Sequence, residues 1–267
     1  MGTEQLSVFA SVGDVNPVWQ PLANGINYFQ GKTASPRLEF YAVQIDLEAP
    51  QLQIVVRGGC LSSDGKQTFG TKVSSFVSDN NLIAGINAAP FDVISSREGQ
   101  PIKNMGVVIS AGEMIAPLNP RFDALVFYKS GNAAIVRQAA ISQTEDIENA
   151  IGGFNQILVN GEAAQRTLSN ELRHPRSAAG ISADGRYLYL LVIDGRRKGS
   201  EGATEYETAL LLLALGSSSG LNFDGGGSSA LALRANGKTR IVNVPIHGGI
   251  PGRERAVAGC IGITMSN

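Results

Sequence analysis

Cysteine and histidine are both scarce in this chain of 267 residues, which contains two of each. The sequence has no HExxH, CxxC or Gly-x-Ser-x-Gly motif, so zinc hydrolysis and a Ser-His-Asp triad both lack their usual residues. We predict no cofactor, with calcium bound by carboxylate and carbonyl oxygens as the alternative. Cys60 and Cys260 each adjoin a glycine, and they form either a disulfide or buried free thiols.

Charge and long apolar runs are scarce as well. Charged residues make up 17% of the chain, and its 22 Lys plus Arg nearly balance its 23 Asp plus Glu. This balance excludes the broad positive field that attracts nucleic acid or an anionic membrane, so any recognition of an anion must be local. The longest apolar run, about 209–215, is far shorter than the ~20 residues of a membrane-spanning helix. We therefore predict a soluble protein without membrane insertion, and residues 1–4 lack the features of a signal peptide.

Glycine, in contrast, is abundant, with 32 residues and many Asn-Gly and Asp-Gly pairs. These pairs are the commonest tight-turn dipeptides, so they predict short strands joined by turns. The predicted strands, most of them rich in β-branched or aromatic residues, are 38–47, 52–57, 82–87, 122–128, 187–194, 231–234, 239–244 and 257–264.

Three helices are expected among these strands, at about 71–80, 142–151 and 204–215. The second and third open with a capping-box sequence and end at a glycine. Because the third is apolar nearly all round, we expect sheet to bury it on more than one side. The fold class is thus α+β, with mixed, strand-rich sheets packed around a buried helix at about 204–216 and two further short helices. Residues 1–35 are predicted to form an irregular N-terminal strap before a single domain at 36–267.

The stretch LNFDGGGSS is the first candidate for a functional site. It places the Asp224 carboxylate after a short apolar strand, then Gly225, Gly226 and Gly227, then two hydroxyl groups that begin with Ser228. Consecutive glycines let backbone N–H groups converge on a phosphate or carboxylate. The alternative is a plain turn between two strands.

A second acid, Asp194, ends another strand and is followed by a glycine and two arginines, the first of which is Arg196. Polar residues at strand ends commonly line ligand sites, and guanidinium groups bind anions through charge-assisted hydrogen bonds. The alternative is a surface turn with solvated arginines. Arg176, in the stretch RHPRSAAG, adds a cation suited to phosphate, whereas the neighbouring His174 is as consistent with an exposed residue as with a functional one.

Two further loops are predicted to form walls of the same site. Asn87 ends a predicted strand and Asp92 follows it, while Asn243 and Arg255 bracket the loop before the last strand. Polar side chains on loops that strands hold in place are typical of binding sites.

Together these motifs resemble one known family. RHPRSAAG at 173–180, VIDGR at 192–196, the helix that begins at Thr204 and LNFDGGGSS at 221–229 have the order and spacing typical of the phosphodiester glycosidases. The resemblance covers roughly residues 82–264. The combination is far more specific than any one of the motifs.

This resemblance implies that residues 36–267 form a catalytic domain that hydrolyses the glycosidic bond of a sugar-1-phosphodiester. The sugar would be of the N-acetylglucosamine type, carried by a small molecule or a polysaccharide, and the products would be free sugar and a phosphomonoester. It also implies a secreted or cell-envelope protein. Two alternatives are a non-catalytic module that binds anionic envelope polysaccharide and a phosphodiesterase that cleaves the P–O bond.

The resemblance also suggests roles for the candidate residues. Glycosidases generally use paired carboxylates around the anomeric carbon, so Asp194 and Asp224 are predicted to be nucleophile and base, in either order. Charge stabilisation by arginine and backbone N–H groups would carry much of the departure of phosphate. The predicted substrate contacts are Asn87, Asp92, Arg176, Arg196, Gly225, Gly226, Gly227, Ser228, Asn243 and Arg255. Glu207 matches the family too, but its capping box explains it without catalysis.

Overall fold

Strands make up most of the regular secondary structure of the fold. The computed structural model describes residues 6–58, 60–61, 68–95, 97–169 and 172–266. The first strands in chain order are β1 (Ser7–Phe9), β2 (Gln20–Ala23), β3 (Ile26–Thr33), β4 (Leu38–Asp46), β5 (Leu52–Gly58), β6 (Cys60–Leu61), β7 (Thr68–Phe69), β8 (Ala84–Asn87), β9 (Pro101–Ile102), β10 (Val108–Ser110) and β11 (Glu113–Ala116). The others are β12 (Asp123–Tyr128), β13 (Ala133–Arg137), β14 (Ile147–Gly152), β15 (Asn155–Val159), β16 (Glu162–Ala163), β17 (Arg176–Ile181), β18 (Tyr187–Ile193), β19 (Ser219–Asn222), β20 (Leu231–Ala235), β21 (Lys238–Ile241) and β22 (Gly259–Met265). The α-helices among the described residues are α1 (Val73–Asp79) and α2 (Glu205–Leu215).

Three large sheets contain most of these strands. The largest has nine strands in the order β1-β3-β4-β18-β17-β19-β15-β16, with β2 beside β3. Two five-stranded sheets have the orders β21-β20-β8-β22-β5 and β11-β10-β14-β12-β13. All eight predicted strands are present, with ends shifted by at most three residues. The strand-rich, mixed sheets are thus confirmed, but the fold is mostly β and fits an α+β class only loosely.

The main apolar core lies between the sheets. Val43 of the nine-stranded sheet, Ile86 and Ile261 of one five-stranded sheet, and Leu125 of the other are fully buried in one cluster. Successive residues of a strand face opposite sides of its sheet. Leu190 therefore lies in this main cluster, whereas Leu191 lies in a second cluster, which includes residues of α2 and covers the other face of the nine-stranded sheet. Each such aliphatic side chain stabilises the fold by about 1.5–3 kcal/mol relative to exposure.

Helix α2 has the predicted ends but not the predicted surroundings. The Thr204 side chain accepts a hydrogen bond from the Glu207 amide, the Glu207 carboxylate accepts one from the Thr204 amide, and Gly216 ends the helix with φ at 112°. The prediction that sheet buries this helix on more than one side is wrong. It packs on the outer face of the nine-stranded sheet, with Tyr206 and Leu213 exposed, because apolar side chains of the strands fill the space between the sheets.

The predicted helix at 142–151 is also wrong. Residues Ile147–Gly152 are strand β14, which lies between β10 and β12 in antiparallel register. Gly152, the expected C-cap, donates its amide hydrogen to the Val107 carbonyl instead. Pairing with two strands satisfies the backbone of β14 from both sides, and this tertiary pairing outweighs the local capping signal.

The N-terminal residues are not an irregular strap over 7–33. Strand β3 pairs with β4 along its whole length, β2 pairs with β3, and β1 adds to β3 in parallel. Cys260 is a buried free thiol, and burial raises its pKa. The side chain of Cys60 lies outside the described residues.

Candidate active site

Three neighbouring strands of the nine-stranded sheet bring the two predicted catalytic acids, Asp194 and Asp224, to the same end of the sheet. Strand β17 is antiparallel to both β18 and β19, so its first residue, Arg176, pairs with Ile193 at the end of β18. Asn222 at the end of β19 pairs with Ala178 of the same strand. The residues that follow, from Asp194 on one side and from Asp224 on the other, therefore flank the start of β17.

A cleft of about 250 Å³ opens at this end of the strands. It is lined by Phe154, His174, Pro175, Arg176, Arg196, Gly225, Gly226, Gly227 and Arg255. The structure thus gathers the three predicted arginines and the three glycines, which come from four separate parts of the chain. A larger cavity of about 470 Å³ beside β5 and β14 contains none of the predicted site residues.

The glycines of the turn make room for arginine side chains. A Cβ added at Gly226 would lie 3.3 Å from Arg196 Nη2, and one at Gly227 would lie 2.5 Å from Arg255 Nη2. Gly226 also has φ at 62°, a conformation that favours glycine. Its amide donates to the Pro175 carbonyl at 2.8 Å, so this amide is occupied and the expected nest of free N–H groups is at most partial.

Asp224 lies directly before these glycines and is half-buried. The Ser228 hydroxyl, the Gly225 amide and the charge of Arg255 lie near its carboxylate. Burial raises the pKa of Asp224, although these three groups oppose the shift. Ser228 is buried and accepts a hydrogen bond from Arg255 Nη1 at 3.1 Å.

Asp194 lies behind the cleft rather than in it, with 1% of its surface exposed. Arg197 donates to its carboxylate from Nε at 3.2 Å and from Nη2 at 2.7 Å. Asn243 Nδ2 donates to the same carboxylate at 3.1 Å, and the Val244 amide at 3.0 Å. These donors occupy the Asp194 carboxylate, which is not among the described residues that line the cleft. This geometry does not fit the predicted pairing of Asp194 with Asp224 as nucleophile and base.

Two asparagines predicted to bind substrate instead hold the loops of the site. Asn87 Oδ1 accepts hydrogen bonds from Ser177 Oγ at 2.7 Å and from the Ala230 amide at 3.1 Å, while its Nδ2 donates to the Asp224 carbonyl at 2.6 Å. Asn243 Oδ1 accepts from the Leu231 amide at 2.9 Å. Both side chains are buried. Their hydrogen bonds fix the backbone on each side of the glycine turn.

Asp92 does not join the residues that line the cleft. Its side chain is exposed, and Oδ1 accepts a hydrogen bond from the Lys103 amide at 2.8 Å. The sequence placed it at a strand exit, but the chain turns away after Pro90, where the Pro90 carbonyl accepts from the Met105 amide.

The three arginines differ in how firmly they are held. Arg176 is buried, with Nε donating to the Ala203 carbonyl at 2.9 Å and Nη1 at 3.8 Å from Glu205. Arg196 is exposed, and its Nη2 lies 3.0 Å from His174 Nδ1. Arg255 donates from Nε to His247 Nδ1 at 3.1 Å. The cleft therefore presents several guanidinium groups to one volume, which suits an anion.

A family model matches the part of the chain that builds this site. Residues 80–264, more than half of the chain, match the family described as phosphodiester glycosidase. This chain belongs to the phosphodiester glycosidase family.

Solved structures with low sequence identity share the fold of this chain. The catalytic domain of zebrafish N-acetylglucosamine-1-phosphodiester α-N-acetylglucosaminidase is 19% identical, with a TM-score of 0.67 over 96% of this chain and 87% of that one. A hypothetical protein from Synechocystis is 15% identical, with a TM-score of 0.67 over 91% of this chain and 62% of that one. The uncharacterised SPbeta prophage-derived protein YomE of Bacillus subtilis is 40% identical over 62 residues, which are 23% of this chain and 10% of that protein. This chain therefore spans less than two thirds of the Synechocystis and Bacillus proteins.

The cleft region also contains residues that were not among the predicted site residues. Phe154, Pro175 and His174 line the cleft, and His247 lies against Gly227. The one sequence signal for His174 is its place within the RHPRSAAG motif. The only sequence signal for His247 is its place in the loop before Arg255.

Across the described ranges, no three His, Cys, Asp or Glu side chains are grouped as metal ligands. In the same ranges, neither α-helix has the length and apolar character needed to span a membrane.

Proposed function

We propose that this phosphodiester glycosidase hydrolyses a sugar-1-phosphodiester at the bond between the anomeric carbon and the phosphate oxygen. The sugar is of the N-acetylglucosamine type, by analogy with the activity in the name of the zebrafish relative. One observation carries the proposal: Arg176, Arg196 and Arg255 converge on the glycine turn that follows Asp224.

The arginines bind the phosphodiester and stabilise the group that leaves. A phosphodiester carries one negative charge, and the phosphomonoester that departs gains a second. Guanidinium groups fixed around that position stabilise the developing charge, and they bind phosphate oxygens with bidentate geometry. An acidic leaving group of this kind needs little proton donation from the enzyme, which fits a cleft with few acids.

Asp224 is the acid that acts on the sugar side. In the simplest form of the reaction, its ionised carboxylate takes a proton from water as the water oxygen bonds to the anomeric carbon. The bond from that carbon to the phosphate oxygen breaks, and the oxygen leaves with the phosphomonoester. A buried carboxyl with a raised pKa is a stronger base than an ordinary aspartate, and the burial of Asp224 has this effect.

Asp194 has a supporting role in this proposal. Its carboxylate holds Asn243, Val244 and Arg197, and Asn243 in turn donates to the Ser229 carbonyl at 3.0 Å. Asp194 thereby fixes the backbone just after the glycine turn and does not form the second carboxylate of a glycosidase pair.

Hydrolysis in ¹⁸O-labelled water tests the reaction. The purified chain is incubated with N-acetylglucosamine-1-phosphodiesters and other sugar-1-phosphodiesters, and both products are analysed by mass spectrometry. We expect the label in the released sugar. Label in the phosphate would identify a phosphodiesterase that cleaves P–O. Binding without any product, retained in Asp224→Asn, would identify a binding module for anionic polysaccharide. Repeating the assay with EDTA tests the calcium alternative.

We also propose that the protein acts outside the cytoplasm, as a secreted or cell-envelope enzyme. The support is the resemblance to a family whose members are mostly secretory or envelope proteins. Fractionation of the native source, followed by detection of this chain in each fraction, tests the location. Recovery in the cytoplasmic fraction alone would contradict it.

A further inference from the structure

Both histidines of this chain meet at one site. The sequence contains two, 73 positions apart. His174 lines the cleft on the side of Arg196. His247 lies on the other side, where its Cα is 3.2 Å from the position of a Cβ added at Gly227. Both imidazole groups of the chain therefore lie beside the glycine turn, one on each side.

The hydrogen bonds of the two histidines define their protonation. Arg196 Nη2 lies 3.0 Å from His174 Nδ1, and Arg255 Nε donates to His247 Nδ1 at 3.1 Å. A guanidinium group is a donor only, so each Nδ1 must be an unprotonated acceptor. Each ring therefore carries its proton on Nε2 and is neutral.

Nearby arginines outside the cleft are held in a different way. Arg173 forms a two-point pair with Glu207 at 2.6 and 2.8 Å, and Arg197 binds Asp194 at 2.7 Å. A carboxylate partner neutralises most of the charge of a guanidinium. An imidazole acceptor orients Arg196 without neutralising its charge, so that charge stays available to a ligand.

Orientation matters because Arg196 is exposed. A long, exposed arginine samples many rotamers, and fixing it when ligand binds costs conformational entropy. A hydrogen bond that holds the guanidinium over Gly226 before binding removes part of this cost. Arg255 receives a second restraint from Ser228 Oγ at 3.1 Å.

We propose that His174 and His247 are positioning residues of the anion site, each a neutral imidazole that holds one arginine over the glycine turn and leaves its charge to the ligand. This inference rests on the proposed function only for the identity of the anion, a phosphate group of the substrate.

The proposal has a consequence for pH. Burial lowers the pKa of His174, and the facing charges of Arg176 and Arg196 lower it further. Burial, Arg255 and Arg253 do the same for His247. Both rings are therefore neutral at pH 7.

Lowering the pH protonates the two imidazole rings. Glu205 and Asp224 face Arg176 and Arg255, respectively, rather than the imidazoles. When a ring protonates, its Nδ1 becomes a donor and releases its arginine. We expect this loss of orientation to outweigh the added positive charge, so phosphate binding weakens as pH falls.

Nitrogen NMR tests the protonation state without any substrate. Tag-free protein labelled with ¹⁵N-histidine gives signals from two imidazoles only. We expect both to show the Nε2–H tautomer at pH 7.5 and to titrate with a pKa lowered from the usual histidine value of about 6.5. An Nδ1–H tautomer or a charged ring at pH 7.5 for either histidine would overturn the proposal for that residue.

Matched variants test the positioning role. In His174→Asn and His247→Asn, the amide oxygen replaces Nδ1 as acceptor, whereas His174→Leu and His247→Leu have no acceptor. The readouts are the Kd for dimethyl phosphate, a phosphodiester with the same single negative charge at both pH values, by calorimetry at pH 7.5 and 5.5, and kcat and KM for the substrate. We expect each Leu variant to weaken dimethyl phosphate binding about 10-fold at pH 7.5 and to raise KM more than it lowers kcat.

The Asn variants decide between positioning and mere packing. We expect His174→Asn and His247→Asn to bind dimethyl phosphate within about threefold of wild type at pH 7.5, and the double Asn variant to lose the pH dependence. Leu variants that bind as wild type, or a double Asn variant that keeps the pH dependence, would refute the proposal. The expected dimethyl phosphate pattern without sugar release would instead refute only the glycosidase reaction.

Discussion

Asp194 and Asp224 occupy equivalent places in the fold and yet have opposite surroundings. Each is followed by glycine, and each comes just after a strand that pairs with β17, on opposite sides of it. Asp194 is 1% exposed and binds Arg197, Asn243 and Val244. Asp224 is half-buried and lies next to the residues that line the cleft. The same local sequence thus yields an internal anchor in one case and a candidate reactive group in the other.

The residues after each acid explain the difference. After Asp194, the chain makes a tight turn in which Arg197 pairs with Ser200, and this turn returns the Arg197 guanidinium to the acid. After Asp224, three glycines offer no side chain that could do the same. Arginines from other loops occupy the space above them, Arg196 over Gly226 and Arg255 over Gly227. The neighbours of a carboxylate, rather than its own place on a strand, determine its chemistry here.

Replacement of Asp224 by asparagine is expected to have the largest effect on activity. Loss of the base lowers kcat/KM for a sugar-1-phosphodiester by about 10²–10⁴-fold. The free energy of unfolding changes by about 1 kcal/mol or less, because burial already disfavours the charged form of this carboxyl. Steady-state kinetics and urea denaturation measure the two quantities. Full activity in Asp224→Asn would remove Asp224 from the reaction.

Replacement of Asp194 by asparagine tests the other side of the comparison. Among the described residues, every hydrogen bond to its carboxylate comes from a donor on Arg197, Asn243 or Val244, so an amide NH₂ must face one of them. The half-buried charge of Arg197 also loses a partner. We expect the free energy of unfolding to fall by about 3–5 kcal/mol, measured by urea denaturation.

A surface acid provides the control for Asp194→Asn. Asp184 lies in the exposed turn between β17 and β18, and we expect Asp184→Asn to change stability by about 0.5 kcal/mol or less. If Asp194→Asn were as stable as this control while its activity was lost, Asp194 would be a catalytic residue and the comparison would fail.

Local signals in the sequence predicted the parts of the fold that depend on neighbouring residues. The ends of α2 follow from local residues. Thr204 and Glu207 form hydrogen bonds with backbone amides of its first turn, and the Gly216 amide donates to carbonyl groups of its last turn. The segment 142–151 has a similar capping sequence, yet it forms β14 because β10 and β12 lie on both sides of it. That pairing joins distant parts of the chain, and no local pattern reveals it.

The site was predictable to a similar extent. Strand ends and glycine turns indicated where Arg176, Arg196 and Arg255 gather, and all three line the cleft, while their part in binding stays a proposal. Single histidines have no periodicity, so the sequence did not reveal that each binds an arginine, 22 positions away for His174 and 8 for His247. These contacts exist only once the sheets have brought the loops together.

Two glycines that follow the acids offer a finer comparison. A Cβ at Gly195 would lie 2.7 Å from both Gly202 Cα and Pro175 N, which are backbone atoms, whereas a Cβ at Gly227 would lie 2.5 Å from the side-chain atom Arg255 Nη2. We expect Gly195→Ala to lower the free energy of unfolding by about 1–3 kcal/mol. Gly227→Ala displaces Arg255 instead, and we expect kcat/KM to fall about 10-fold.

Unfolding and kinetic measurements on the two alanine variants check this contrast. His247 Cα is also near the added Cβ of Gly227, at 3.2 Å, so a small loss of stability is expected there too. If Gly195→Ala affected mainly activity and Gly227→Ala mainly stability, the two turns would have the opposite roles to those inferred here.

The smallest expected effect is a shift in the acid limb of the pH profile of kcat, which we attribute to Asp224. Burial raises the pKa of this carboxyl above 3.8, while the charge of Arg255 opposes the rise. A group whose pKa is raised keeps its proton to higher pH, so an ionised base at this position is lost at a higher pH than for an ordinary aspartate. Removing the opposing charge in Arg255→Gln raises the pKa further, and the acid limb of kcat moves to higher pH. Saturating substrate isolates this limb, because the histidines act on binding. Arg186→Gln, which removes an exposed arginine paired with Asp46, should leave the limb in place; an acid limb unchanged in Arg255→Gln would mean that a different group titrates.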